Sequence, residues 1–113
     1  MITDIYITMS REQIKQRGYR NIICEMMGCD GDPLLYYWKL SGKPKHEIDK
    51  VYVVAGNRVR FVGKVLEVAG AGWMDFGEDI MTYAKAWLVT FGYKHLPRPY
   101  EHKKGFQGIR YKL

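Results

Sequence analysis

The sequence predicts a mainly β domain with short helices, an α+β chain built as a small barrel. Three observations predict it. At least five runs are rich in β-branched and aromatic residues. Two of them flank the tight turn AGN at 55–57. A glycine, Gly63, interrupts the second of these runs where its apolar pattern changes face, and long bent strands with such a glycine are how small barrels turn corners. With 113 residues the chain is read as one domain over 1–113.

The elements follow in order. ITDIYITM (2–9) alternates apolar and polar side chains and reads as a strand. Ser10 with Gln13 three positions on has capping-box spacing, so SREQIKQRG is read as a short helix stopped by Gly18. NIICEMM (21–27) fits helix or strand, GCDGDP (28–33) is a loop, and LLYYWKL (34–40) reads as a strand. SGKPKHEID (41–49) is polar, holds Pro44 and reads as a loop. KVYVV (50–54) and RVRFVGKVLEV (58–68) form the hairpin, with Val59 and Phe61 expected on one face and Arg58 and Arg60 on the other. GAGWMDFGED (70–79) reads as a long connection. Its Asp75, Glu78 and Asp79 fit no metal-binding loop and read as a solvated helix start. AKAWLVTFGY (84–93) is a strand, HLPRPYEHKK (95–104) a proline-bearing loop, and GFQGIRYKL (105–113) a closing strand.

Charge is unevenly placed. From Tyr93 to Leu113 there are six basic residues and one acid, whereas the other 92 residues hold 12 basic and 11 acidic groups. A local excess attracts anions better than the same charge spread out. The segment also interleaves cations with rings, which suits nucleic acid: cations meet phosphates and rings stack on unpaired bases. Arg98, Lys103, Lys104 and Arg110 are therefore candidate phosphate contacts, and Tyr100 a candidate stacking ring. Arg58 and Arg60 on the hairpin form a second basic element, and Trp73 among glycines is a candidate stacking lid. Each has a plainer alternative, a solvated charged face or a core aromatic. Trp38 and Lys39 at a strand end are candidates for flanking a pocket, with core packing as the alternative for Trp38.

Other classes of chemistry find little support. No nucleophile elbow, zinc-protease helix or phosphate loop is present, and His46, His95 and His102 lack an orienting partner in sequence. Cys24 and Cys29 in CEMMGC do not have the spacing of a zinc site and read as partly buried thiols. No metal or other cofactor is expected. The N-terminal MITDIYITMSREQ has no signal-peptide pattern, and no apolar run reaches the ~20 residues that span a bilayer. A cytoplasmic protein with no membrane partner is expected.

Three stretches carry a family resemblance: IDKVYVVAGNRVRFVGKVLEV (48–68), AKAWLVTF (84–91) and KGFQGIRYKL (104–113). Their order resembles the PUA-like superfamily of small β-barrels, which includes the PUA, ASCH and EVE domains. The resemblance implies binding of RNA or modified nucleosides, and for some ASCH-like members hydrolysis. The ASCH motif has the form G-x-K-x-x-E-x-R. Gly42 and Glu47 stand at its separation, but Pro44 holds the lysine position, between Lys43 and Lys45, and Asp49 the arginine position. No catalytic residue is carried across. The leading expectation is a non-catalytic module that binds RNA or a modified nucleotide. The alternatives are a small nucleoside-acting hydrolase, with Lys43, Lys45 and Glu47 in a pocket at the 41–49 loop, and a protein–protein adaptor.

Overall fold

The computed structural model describes residues 2–28, 35–75, 81–101 and 109–112. Among these residues ten elements run in the order β1 (Ile2–Thr8), α1 (Arg11–Arg17), α2 (Tyr19–Met27), β2 (Tyr36–Leu40), β3 (Glu47–Ala55), β4 (Arg58–Ala69), β5 (Gly72–Asp75), β6 (Met81–Ala84), β7 (Ala86–Glu101) and β8 (Ile109–Lys112). Six strands form one sheet in the order β2-β7-β4-β3-β1-β8, and β5 and β6 form a separate two-stranded sheet. The large sheet curls into a half-barrel. Among the described residues its ladder stays open, with β2 and β8 as edges. No helix among the described residues is long and apolar enough to cross a membrane.

Local signals in the chain account for the helices. Ser10 caps α1 through its hydroxyl, which accepts from the Gln13 amide, and Gln13 reaches back to the Ser10 amide. Gly18, at φ +84°, ends this helix and begins the next. The ambiguous stretch 21–27 is helical because Ile22 and Met26, four apart, face the sheet together and are buried. Ser10→Ala removes the hydroxyl half of the box and keeps the backbone N–H that donates to Gln13, and unfolding should show a loss of about 1 kcal/mol; an unchanged urea midpoint would contradict that. Cys24 is disulfide-bonded, which corrects the reading of it as a thiol. The chain's other cysteine, Cys29, lies outside the described residues.

The hairpin of β3 and β4 turns at Gly56 and Asn57, both at positive φ (59° and 63°), as a tight turn matched to strand twist requires. Beyond the turn the expected face pattern fails. Val54 pairs with Val59 and Val53 with Phe61, with a register shift between them. Adjacent residues of β3 face opposite ways, so Val59 and Phe61 lie on opposite faces, and Arg60 is the extra residue of the bulge. Phe61 joins the core cluster with Ile5, Ile7, Val51, Val53, Trp38, Leu88, Ile22 and Met26, under the two helices.

At Gly63 the expected irregularity is present, as a register shift between β4 and β7 across Val62 and Lys64. The cause is the Tyr93 ring, which lies against the Gly63 backbone so that a Cβ there would fall 2.5 Å from a ring carbon. The buried Tyr93 hydroxyl donates to Thr90 Oγ1 at 2.5 Å and accepts from Trp38 Nε1 at 2.7 Å, and Thr90 Oγ1 donates to the Tyr36 carbonyl at 2.7 Å. Burial pushes the pKa of the Tyr93 hydroxyl well above its ordinary value near 10, opposed by its bonds to Thr90 and Trp38. The folded state thus disfavours the phenolate. This stabilisation is complete below pH 10 and is lost as pH rises above it. Alkaline unfolding followed by circular dichroism should begin above that pH and be displaced upward in a Tyr93→Phe variant corrected for its lower neutral-pH stability.

Two connections expected as loops are strands. β7 continues through Pro97 and Pro99 to Glu101. Between the pairs His95–Phe61 and Tyr100–Val59, four residues of β7 stand against Arg60 alone, so the prolines sit in a bulge. Only β4 flanks β7 there among the described residues, an edge position where a missing N–H is tolerated. Residues 72–75 pair with 81–84 as a hairpin, with Trp73 opposite Tyr83 and Asp75 opposite Met81. Asp75 therefore belongs to a strand, and Glu78 and Asp79 of the expected helix start lie outside the described residues.

Candidate nucleic-acid interface

The face of the half-barrel away from the helices is both aromatic and basic. Cross-strand partners share a face, and the registers Arg110–Tyr6, Tyr6–Tyr52, Tyr52–Val62 and Val62–Lys94 define one row across five strands, β8-β1-β3-β4-β7. At ~4.8 Å per strand the row is roughly 19 Å long. A cation stands at each end and two tyrosines lie within it. The Tyr6 and Tyr52 rings meet at 5.9 Å between centroids, tilted by 51°. Tyr100 comes in from β7, opposite Val59, and its hydroxyl lies 3.2 Å from that of Tyr6. Tyr100 is 40% exposed. Its pKa is held above the ordinary tyrosine value by desolvation, and by the hydrogen bond and proximity to Tyr6. The Tyr100 hydroxyl therefore stays neutral at physiological pH.

Of the residues expected to contact nucleic acid, the fold brings Tyr100 and Arg110 together here, through Tyr6. Arg60 is half-buried in its bulge, with Nε donating to the Ala55 carbonyl at 2.9 Å, which ties it to the hairpin turn. Arg58 is exposed at the end of β4, opposite Glu101. Arg98 is exposed in the β7 bulge. Trp73 is 65% exposed and stands apart, on the two-stranded sheet, with its ring 5.5 Å from that of Tyr83. Lys103 and Lys104 lie outside the described residues.

Sequence reasoning missed Tyr6, Tyr52, Lys64 and Lys94. The signal was present: Asp4, Tyr6 and Thr8 alternate with buried Ile5 and Ile7, and Tyr52 lies between buried Val51 and Val53. What was missing was the strand order that brings these polar faces side by side.

The residues expected to form one pocket are divided among three places. Trp38 is core, 3% exposed, with its indole N–H given to Tyr93; this corrects its placement at a pocket. Lys39 lines a cleft of about 1040 Å³ with Tyr37, Arg17 and Thr82, beside β2 and the helices. Arg17 there is paired with Glu25. Lys43, Lys45 and Glu47 do share a cleft, of about 510 Å³, with His46, Asp49 and the far end of β4. It opens where the pairing of β3 with β4 stops at Lys50–Lys64 while both strands run on. Tyr111 of β8 braces its wall: the Lys45 amide donates to the Tyr111 hydroxyl at 2.8 Å, and the His46 and Tyr111 rings meet edge-on at 5.0 Å.

Comparison with protein-family models, with curated proteins and with solved structures finds no match to this chain.

Proposed function

We propose that the protein is a PUA-like module that binds RNA or a modified nucleotide on the outer face of its half-barrel, without catalysing a reaction on it. The observation that carries this reading is the contact among Tyr6, Tyr52 and Tyr100 on a row ended by Arg110 and Lys94. Rings on a pleated face offer stacking surfaces to unpaired bases, and flanking cations meet the backbone. The pattern resemblance of 48–68, 84–91 and 104–113 to PUA-like barrels supports the same ligand class. Titration with single-stranded RNA at rising salt is the test. Affinity should fall steeply, with log K declining by about 0.7 per neutralised phosphate for each unit of log salt. Replacing Lys94 and Arg110 by glutamine should flatten that slope by about 1.4. Binding indifferent to salt would reject the reading.

The cleft at 43–49 favours a second reading, an enzyme acting on a small nucleoside, with Lys43, Lys45 and Glu47 around the ligand. It predicts saturable nucleoside binding that survives high salt and is lost in a Lys43→Met/Lys45→Met variant. Binding retained in that variant would exclude this cleft.

A further inference from the structure

Beside the aromatic row lies a second row whose charges are poorly matched. Lys50 and Lys64 are direct cross-strand partners, and both are exposed. Neither ammonium has an ion-pair partner among the described residues. Like charges placed opposite each other destabilise a sheet, so the free protein carries a repulsion that an anion between the two would remove. The acid facing them is Asp4 on β1, and its Oδ1 accepts from the Lys50 backbone amide at 3.2 Å. On β8 the position opposite Asp4 is another lysine, Lys112. A second carboxylate, Asp49, is exposed next to Lys50, and among the described residues neither acid forms an ion pair with the two lysines. Along β3, Lys50 lies two residues from Tyr52, on the same face and about 7 Å away. That is on the scale of one nucleotide, from its phosphate to its base.

We infer that Lys50 and Lys64 form a phosphate-binding point, and that the base of the same nucleotide lies on Tyr52. This rests on the outer-face reading and narrows its ligand to a phosphorylated nucleotide with an unpaired base, as a monophosphate or within a single strand. A duplex hides its base faces within its own stack, and a free nucleoside leaves the lysines facing each other.

The experiment compares the wild type with Lys64→Gln and with Lys50→Gln/Lys64→Gln. The probes are a nucleoside, its monophosphate, inorganic phosphate, a six-residue oligouridylate and an RNA duplex. In the wild type the monophosphate should bind at least tenfold more tightly than the nucleoside or inorganic phosphate, and the single strand more tightly than the duplex. The double variant should lose the advantage of the monophosphate, and its salt slope for the oligouridylate should flatten by about 1.4. Without ligand, Lys64→Gln should raise Tm by about 1–4 °C as the repulsion is removed. Oligouridylate binding with an unchanged slope in the double variant would overturn the lysine site and leave the outer-face reading standing. Equal binding of duplex and single strand, or of phosphate and nucleotide, would overturn the ligand class. A wild type that binds none of the probes would overturn both.

Discussion

Gly63→Ala should destabilise the protein by about 3 kcal/mol, as the added methyl group meets the tightest contact of any glycine among the described residues. A Cβ at that position would lie within 3 Å of three Tyr93 ring atoms. The ring has nowhere to go. Its hydroxyl is fixed by Thr90 and Trp38, and its body is packed edge-on against Tyr36 at 6.4 Å between centroids. Either the strands separate, or the ring swings out and leaves the Trp38 N–H and Thr90 hydroxyl with unmet bonds inside the core. A buried donor without a partner costs about 1–3 kcal/mol by itself. Gly42→Ala is the matched control, because a Cβ there meets nothing within 4 Å, and it should change stability by less than about 0.5 kcal/mol. Urea titrations of the two variants would decide. Equal midpoints would mean that the Tyr93 ring is free to move and that the buried network contributes little.

Tyr52→Leu should weaken binding of single-stranded RNA by about 2 kcal/mol, or about thirtyfold. Leucine keeps apolar bulk on the strand but offers no π-face. Folding stability should change by less than about 1 kcal/mol, since Tyr52 lies on the outer face and is only half-buried. The informative comparison is Trp73→Leu. Trp73 is the more exposed ring, and the sequence alone favours it as a stacking residue. It sits, however, on the separate hairpin, with its ring tilted against that of Tyr83, outside the row between Arg110 and Lys94. If the outer face is the site, Trp73→Leu leaves affinity unchanged. A large loss for Trp73→Leu with none for Tyr52→Leu would move the site to the hairpin.

How far the sequence could be read depended on the distance between the interacting residues. The Ser10–Gln13 box and the Gly56–Asn57 turn are local, three residues apart or adjacent, and both were legible because their geometry is set by the residues that form them. The ambiguity over 21–27 was of the same kind. Ile22–Met26 and Ile23–Met27 carry helical spacing, but in so short an apolar run a buried strand looks similar. The bulge at Arg60 was not legible. Alternation along β4 places Val59 and Phe61 together, and only pairing with Val53 and Val54 separates them. The prolines of β7 misled for a related reason. Proline argues against a central strand, and whether a strand lies at an edge depends on its neighbours.

The site divides along the same line. The chain by itself determined the ingredients: a tail rich in cations, strands alternating rings with buried aliphatics, and a lysine-rich loop at 41–49. Only the tertiary structure decided which of them meet. Tyr6 and Arg110 are 104 residues apart in sequence yet adjacent because β8 pairs with β1. Tyr6 meets Tyr52 because β1 runs parallel to β3. Those pairings follow from burying Ile5, Ile7, Val51, Val53 and Phe61 against the helices, a demand of the whole core. A register slip of one residue would turn every tyrosine of the row inward. The buried face therefore sets the order and register of the strands, and the outer face inherits its arrangement of rings and charges from that packing.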